Sequence, residues 1–222
     1  MLLDLSHTLE NDQPHFATHT KFFRMMWNRL EFGDRSAHAQ IIMGEHSGTH
    51  VDAPMHFYPE SASIDALDLD HFTGLGRCVD AAFVGPDQTL SADDLLNSEK
   101  REGVINSGEI VLIHYGFDRW WQKGAEARRY RTAWPGLSED AAMLLATRGV
   151  KAVGTDAISI DTSKDQAIVA HQQLLGAGVV IYENLTRLET LVGHRFRFWG
   201  MPLKIGGGTG SPVRAYAEIL ES

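Results

Sequence analysis

The sequence "EHSGTHVDAPMHF", Glu45–Phe57, contains three histidines and an aspartate within thirteen residues. His46 and His50 are four residues apart, which matches one helical turn, whereas His50 and Asp52 are two apart, which matches one face of a strand. Gly48 lies between the histidines and disfavours a continuous helix. The pattern therefore indicates a break in regular structure beside a cluster of polar side chains.

We expect a strand that ends near Gly44, a turn, and then a loop that folds His46, His50 and Asp52 around one point. Histidine nitrogen and carboxylate oxygen are common ligands of zinc and similar divalent ions. The spacing alone does not distinguish a metal site from a metal-free acid–base site. A polar loop with scattered histidines is a third interpretation, which the density of these groups disfavours.

Polar residues also stand further along the chain, where buried elements are predicted. Glu183 follows the run "GVVIY", so its carboxylate is expected at or near the end of a buried strand. Such a carboxylate becomes neutral, pairs with an arginine or lysine, or binds a metal. His171 lies in a candidate helix before Glu183, and a helix–turn–strand hairpin would join the two, although His171 alone is more typical of a structural histidine. Asp156 either orients a metal ligand or fixes a turn.

Composition excludes several classes of function. The chain has 222 residues and a formal net charge of −9, which argues against nucleic acid as a partner, because phosphate binding needs a basic face. Cys78 is the only cysteine, which suits a reducing compartment. The N-terminus has no signal-peptide pattern, and no apolar run approaches the ~20 residues of a membrane span. We expect a cytoplasmic protein that acts on a small molecule without a membrane partner.

The order of predicted elements favours one α/β domain over residues 1–222, in which a central mixed, partly barrel-like sheet carries peripheral helices. Short apolar or alternating runs predict the strands Leu2–Leu5, Gln40–Met43, Arg77–Val84, Ile110–His114, Ala152–Gly154, Val179–Tyr182, Phe196–Trp199 and Ala215–Leu220. Three helices are predicted, one opening at Ser91, one running from Ser138 to Gly149, and one within Asp165–Gly178. The glycine-rich tail "KIGGGTGSPVRAYAEIL" lacks the lysine and Ser/Thr spacing of a phosphate loop and predicts a turn between strands.

The opening stretch resembles the H-x-G-T-H-x-D-x-P-x-H-F signature of the metal-dependent cyclase-like hydrolases. That family includes bacterial kynurenine formamidases, isatin hydrolases and polyketide-type cyclases. The resemblance extends along most of the chain through "LDLSHTL", "GTDAISID", "HQQLL" with "VVIYENL", and "PLKIGGGTGSPVRA". It implies a swivelling β/β/α domain and a homodimer or homotetramer.

The resemblance also implies roles for individual residues. One divalent metal, zinc or manganese, would be bound by His46, His50 and Asp52, and Asp52 would bridge to a second metal held by His171 and Glu183. The metal content would be one or two ions per chain, and the acid at Glu183 favours the two-metal formamidases over the isatin hydrolases, which have glutamine there.

The proton donor and acceptor of the family corresponds to His56. A binding module that needs only metal ligands has no use for such a shuttle, so His56 favours an enzyme. The expected reaction is hydrolysis of an amide C–N bond in a small aromatic substrate of the N-formylkynurenine type. An isatin-type lactam hydrolase, a lactone hydrolase and a polyketide-type cyclase are the alternatives that use the same metal site.

The substrate pocket is the region where the chain departs from the formamidase pattern. A "P-V-W-P-G-D" segment is replaced here by "PHFATH", so Phe16 stands where the pocket tryptophan is expected, and the Pro-Gly-Asp is missing. This departure weakens the assignment of N-formylkynurenine as the substrate. Trp27 and Phe57 are further aromatic candidates, for which core packing is the favoured interpretation.

Overall fold

The structure is a computed structural model that describes residues 2–220. Its strands, in chain order β1 to β13, are Leu2–Asp4, Phe23–Asn28, His38–Ile42, His50–Asp52, Thr73–Asp80, Thr89–Leu90, Ile110–His114, Gly136–Leu137, Ala152–Thr155, Val180–Glu183, Phe196–Trp199, Gly210–Pro212 and Tyr216–Ile219. Its α-helices, α1 to α4, are Ala92–Glu102, Arg128–Thr132, Glu139–Arg148 and Val169–Gly176. None of the helices between residues 2 and 220 has the length and apolar composition of a membrane span.

One nine-stranded mixed sheet organises the molecule, in the order β1-β13-β11-β5-β7-β9-β10-β4-β12. The central strands β5, β7, β9 and β10 are parallel, whereas the strands on either side of them pair antiparallel. Parallel central strands are buried on both faces, and β7 and β9 accordingly read as nearly continuous apolar runs. The predicted mixed sheet with peripheral helices is confirmed.

Two apolar cores lie against this sheet. One contains side chains of α1, α3 and α4, and Leu95, Leu145 and Leu174 of these helices are fully buried in it. The other contains Tyr182, Phe196 and Phe198 of the strands. Burial of such side chains contributes ~1.5–3 kcal/mol each relative to exposure, so the two cores together fix the register of the strands that carry the site.

The helix boundaries follow local signals. Ser91 accepts a hydrogen bond from the backbone N–H of Asp94, and the Asp94 carboxylate accepts the N–H of Ser91, which forms a capping box at the start of α1. Ser138 caps α3, and Gly149 ends it with a left-handed φ of 68°, a conformation that glycine adopts without strain. These predicted ends are confirmed.

The structure corrects the predicted loop after Gly44. His50 and Asp52 lie in strand β4, because that segment pairs with β10 on one side and with β12 on the other. The tail "KIGGGTGSPVRA" contributes the second of these neighbours, and a turn does precede β12 as predicted. The strand predicted at Arg77–Val84 lies four residues earlier, at Thr73–Asp80.

A two-stranded hairpin, β2 with β3, stands apart from the main sheet. Strand β2 was not predicted. Trp27 in this hairpin is 71% exposed, so the prediction that it packs in the core is wrong.

Candidate metal centre

Strand β4 is the structural basis of the cluster. His50 and Asp52 are two residues apart, so both side chains leave the same face of the strand. In the adjacent strand β10, Glu183 is the direct antiparallel partner of His50. His46 comes from the turn before β4, and His171 comes from α4. The structure thus brings together all five residues predicted as metal ligands.

Asp52 lies at the centre of the cluster, and its two carboxylate oxygens face different histidines. Oδ1 is 2.6 Å from Nδ1 of His46 and 3.3 Å from Nε2 of His50. Oδ2 is 3.4 Å from Nε2 of His171. A carboxylate placed in this way can share its oxygens between two neighbouring cations.

Glu183 closes the other side of the cluster. Its Oε2 is 3.5 Å from Nε2 of His50, and its Oε1 is 3.3 Å from Nε2 of His171. The backbone N–H of Ile160 also donates to Oε1 at 2.8 Å. The alternative that Glu183 forms a salt bridge with an arginine or lysine is therefore wrong, since the cations closest to it are imidazoles.

Hydrogen bonds outside the cluster orient two of the rings. Nδ1 of His50 donates to the carbonyl of Gly48 at 2.8 Å. Nδ1 of His171 donates to Oδ2 of Asp161. Both bonds place a hydrogen on Nδ1, so Nε2 is the ring nitrogen that faces the cluster and would bind a metal once it has lost its own proton.

Asp161 was not predicted, although it lies in the quoted segment "GTDAISID". The residue of that segment that the sequence singled out, Asp156, instead accepts the backbone N–H groups of Tyr115 and Phe117, both at 3.1 Å. Its role is to hold a turn. No spacing rule identifies which of the two aspartates reaches the histidine, because the contact depends on how α4 packs.

Burial and neighbouring charges shift the pKa values of the cluster in opposite directions. Although burial alone would lower the pKa of His50, the carboxylates of Asp52 and Glu183 raise it to about 10. Burial opposes ionisation of Glu183 as well, yet the neighbouring imidazoles lower its pKa to about 2. The imidazoles of His46, His50 and His171 hold the pKa of Asp52 well below its usual range, against the effect of burial. Carboxylates in this cluster thus require positive charge beside them.

A divalent cation fits this donor set. Oδ2 of Asp52 is buried and accepts no hydrogen bond from any residue between 2 and 220. One ligand atom each from His46, His50 and Asp52 lies within 4.8 Å of the others, and the same holds for Asp52, His171 and Glu183. A buried carboxylate oxygen without a donor costs ~1–3 kcal/mol or more, and a cation would remove that cost.

His56 stands at the edge of the cluster. The short 3₁₀ turn Pro54–His56 follows β4 directly and presents His56 to a cavity of about 310 Å³ that opens onto the five candidate ligands. The ring of His56 lies 4.1 Å from that of His46, centroid to centroid. Burial lowers the pKa of His56 to about 4, despite the opposing influence of Asp52.

Aromatic side chains form the apolar wall of the cavity. Phe16 lines it, as predicted for a substrate-contacting residue, and meets Trp134 edge to face at 5.9 Å. Phe57 stacks on His171 at 5.0 Å and also packs against the core, so it combines the two predicted roles. Trp27 does not line this cavity.

Trp134 and His19 line the cavity but were not predicted. Trp134 follows α2 in a loop, and the ring of His19 lies 5.5 Å from that of His46. Neither residue belongs to a periodic pattern, and only the folding of these loops over the sheet brings them to the cavity.

The sequence and the fold of this chain are similar to those of known proteins. The family model "Cyclase", described as "Putative cyclase", matches residues 3–162. A kynurenine formamidase of Bacillus cereus is 29% identical over 96% of this chain and 95% of its own length. The kynurenine formamidase of Erythrobacter litoralis is 29% identical over 98% of this chain and 93% of its own.

Solved structures with the same fold include isatin hydrolases. Isatin hydrolase A from Labrenzia aggregata has a TM-score of 0.89 and 27% sequence identity, covering 100% of this chain and 94% of its own. A potential metal-dependent hydrolase with cyclase activity has a TM-score of 0.79 and 25% identity, covering 100% of this chain and 99% of its own.

Proposed function

The chain belongs to the Cyclase family, and from this membership and the geometry of the metal centre we propose its function. The protein is a metal-dependent hydrolase that cleaves a C–N amide bond, and its substrate is a small aromatic amide. One observation carries the proposal. Three imidazoles and the carboxylate of Glu183 surround Asp52, whose Oδ2 has no hydrogen-bond donor in the described chain, at the floor of a cavity with aromatic walls.

The ligand set indicates what a bound metal would contribute. His46, His50 and Asp52 would hold one ion, and Asp52, His171 and Glu183 would hold a second. A divalent metal in such a site would lower the pKa of a bound water toward about 7 and polarise a carbonyl group. Zinc and manganese both accept these ligands, so we propose either metal, at one or two ions per chain.

His56 supplies the proton transfers in this proposal. It lines the cavity beside the ligands without being one of them, which leaves its imidazole available to substrate and water. The ring would accept the proton of the attacking water and donate it to the departing nitrogen, because an amide nitrogen leaves poorly unless protonated. General acid–base assistance of this kind is typically worth ~10²–10⁴-fold in rate.

An aryl formamide of the N-formylkynurenine type is the first substrate candidate. The curated relatives described above are named kynurenine formamidases, and Phe16, Trp134 and Phe57 offer aromatic surfaces to an aryl group. Aromatic pairs contribute ~0.5–1.5 kcal/mol beyond their buried area. The cavity of about 310 Å³ lies within the usual range for small-molecule sites.

An isatin-type lactam is the second candidate, and one feature of the cavity favours it. The lining contributed by the described residues contains no lysine or arginine. The amino-acid end of N-formylkynurenine carries a carboxylate, which would meet no side-chain cation of that kind, whereas isatin is neutral. The solved isatin hydrolase from Labrenzia aggregata also matches the fold over the whole chain.

Parallel assays distinguish the two candidates. The protein loaded with zinc or manganese is assayed with N-formyl-L-kynurenine and with isatin, and His56→Ala serves as the control for each. Turnover of either substrate that the variant abolishes supports amide hydrolysis and identifies the branch. No turnover of either substrate by protein shown to contain metal contradicts the proposal.

We also propose that the chain assembles into a homodimer or homotetramer through the hairpin β2–β3. Its apolar side chains are unusually exposed, with Trp27 at 71% and Phe32, at the tip, at 76%. Large apolar side chains that are exposed close together are typical of interaction surfaces. Light scattering should give a mass that is a multiple of 24.6 kDa, and Trp27→Ser with Phe32→Ser should reduce it to the monomer. A monomeric wild type would contradict the assembly.

A further inference from the structure

The glycine-rich tail reaches the metal centre through Thr209, a residue that the proposed chemistry does not use. Oγ1 of Thr209 lies 3.0 Å from Nε2 of His46 and 2.6 Å from Oε2 of Glu45. The backbone N–H of Thr209 donates to the same Oε2 at 2.9 Å. Glu45, Thr209 and His46 therefore form a chain of hydrogen bonds that runs away from the cluster.

The direction of these hydrogen bonds follows from which groups can donate and which can accept. The carboxylate of Glu45 accepts hydrogen bonds, and the Thr209 hydroxyl has one proton to give. Since that proton goes to Glu45, the hydroxyl can only accept from His46. Nε2 of His46 must then carry a hydrogen, so Nδ1, 2.6 Å from Oδ1 of Asp52, is the nitrogen whose lone pair would bind a cation at the cluster.

This arrangement distinguishes His46 from the other two histidines of the cluster. His50 and His171 direct Nε2 inward and donate from Nδ1, to a carbonyl and to a carboxylate respectively. His46 is inverted, with Nδ1 inward. The hydrogen bond made by one ring nitrogen determines which nitrogen is left to bind a metal, so an inverted ring needs an acceptor on the Nε2 side.

Gly210 provides the space for the inverted ring. A Cβ at this position would lie 2.6 Å from Cε1 of His46 and 2.8 Å from the carbonyl oxygen of Val51, both closer than real Cβ contacts. Gly210 is also the pairing partner of Asp52 between strands β12 and β4. The ring thus lies directly against the backbone of β12, next to the residue that holds its outer nitrogen.

We propose that Thr209, supported by Glu45, is a positioning residue that fixes the tautomer and orientation of His46 for metal binding. The inference rests on the proposed metal set, because it assigns Nδ1 of His46 as a ligand atom. It also gives a role to the segment "GGGTG", whose threonine and following glycine act on the same ring. Outer hydrogen bonds of this kind are typically worth ~10–100-fold in metal affinity.

Metal titration of matched variants tests this assignment. Thr209→Val keeps the branched shape and removes the hydroxyl, whereas Thr209→Ser keeps the hydroxyl. We expect Thr209→Val to raise the dissociation constant for zinc by ~10–100-fold and Thr209→Ser to stay close to wild type. Gly210→Ala should also weaken zinc binding, because the added methyl group displaces the ring. Denaturant unfolding of each variant, measured with the metal removed by chelator, identifies any variant that does not fold.

Two further measurements separate this inference from the proposed function. Imidazole ¹⁵N shifts of the zinc-loaded protein should show His46 protonated at Nε2 and bound through Nδ1, and Thr209→Val should alter that signature. His46→Ala provides the reference for loss of the ligand itself. If His46→Ala weakens zinc binding while folded Thr209→Val does not, the positioning role is overturned and the metal set stands. If His46→Ala leaves zinc binding unchanged, the metal set fails, and the inference fails with it.

Discussion

His50 and Glu183 face each other directly across the antiparallel strands β4 and β10, with Nε2 of His50 3.5 Å from Oε2 of Glu183. Side chains alternate between the faces of a sheet, so a slip of one residue in this pairing would turn one strand's ligands to the opposite face. The apolar side chains Val51, Ile181 and Tyr182 in the same two strands are fully buried. The packing that stabilises the sheet therefore also fixes the metal centre.

Two histidine variants should separate metal binding from proton transfer. His50→Ala removes a ligand, so it should lose both metal and activity. His56→Ala should keep its metal, because His56 is not in the ligand set, and should lose ~10²–10⁴-fold in kcat. Metal content by mass spectrometry and steady-state rates on the same preparations check both expectations. Near-native turnover by His56→Ala would disprove its proton-transfer role.

Asp161→Asn should weaken the half of the centre that contains His171. Asp161 accepts the Nδ1–H of His171 and also the backbone N–H of Ala170, at 2.6 Å, at the start of α4. Its replacement should lower metal affinity ~10–100-fold, because the ring is no longer held in one orientation.

The matched control for this prediction is Asp165→Asn. Asp165 accepts the backbone N–H of Val169 at 3.0 Å in the same helix but makes no hydrogen bond to the ring of His171. Calorimetric titration with zinc compares the two variants. An equal loss of affinity in both would show that the effect arises from the helix rather than from the imidazole.

Phe16→Leu should raise KM for an aromatic amide with little change in kcat. Phe16 lines the cavity, and the lost aromatic contact is worth ~0.5–1.5 kcal/mol, or about two- to tenfold in affinity. Phe83→Leu is a suitable control, since Phe83 is 65% exposed and lies outside the cavity lining. Steady-state kinetics of both variants measure kcat and KM separately. A fall in kcat alone for Phe16→Leu would exclude a simple binding role.

His7→Phe should reduce the loss of stability in acid. The ring of His7 stacks on Trp121 at 4.1 Å, and its Nε2 is buried without a hydrogen-bond partner in the described chain. Burial lowers its pKa to about 4, from an ordinary value of 6.5, against a weaker opposing influence of Asp118. Between these pH values the unfolded state therefore binds the proton and the folded state does not.

Folding is consequently penalised as the pH falls from 6.5 toward 4, and the penalty is constant below that range. Phenylalanine keeps the stacking and cannot take up a proton. Denaturant unfolding of metal-free wild type and His7→Phe at pH 7.5 and pH 5 measures the difference, expected to be on the order of 1–3 kcal/mol. An identical pH dependence in the two proteins would show that His7 has the same pKa in the folded and unfolded states.

The sequence predicted those features that depend on neighbouring residues. The caps Ser91 and Ser138 and the stop at Gly149 are signals within a few positions of the helix ends. The spacing of His50 and Asp52 likewise placed both side chains on one face, although the segment was expected to be a loop. The segment is a strand because it pairs with β10 and β12, and local sequence patterns do not reveal that pairing.

Long-range contacts account for what the sequence did not predict. The hydrogen bond from His171 to Asp161 depends on the approach of α4 to the preceding loop. The contact between Thr209 and His46 depends on β12 joining the edge of the main sheet. Trp134 reaches the cavity only because the segment after α2 folds over it. Each contact joins residues that no common periodicity connects.

The most direct test that hydrolysis depends on a metal bound at Asp52 is to remove and restore that metal. Chelator-treated protein is assayed for hydrolysis of N-formyl-L-kynurenine and isatin, then titrated with zinc or manganese, with Asp52→Asn treated in parallel. We predict that activity on one substrate disappears with the metal, returns as up to two ions bind per chain, and is never restored in Asp52→Asn. Full activity in the stripped protein, or restoration in Asp52→Asn, would contradict the account.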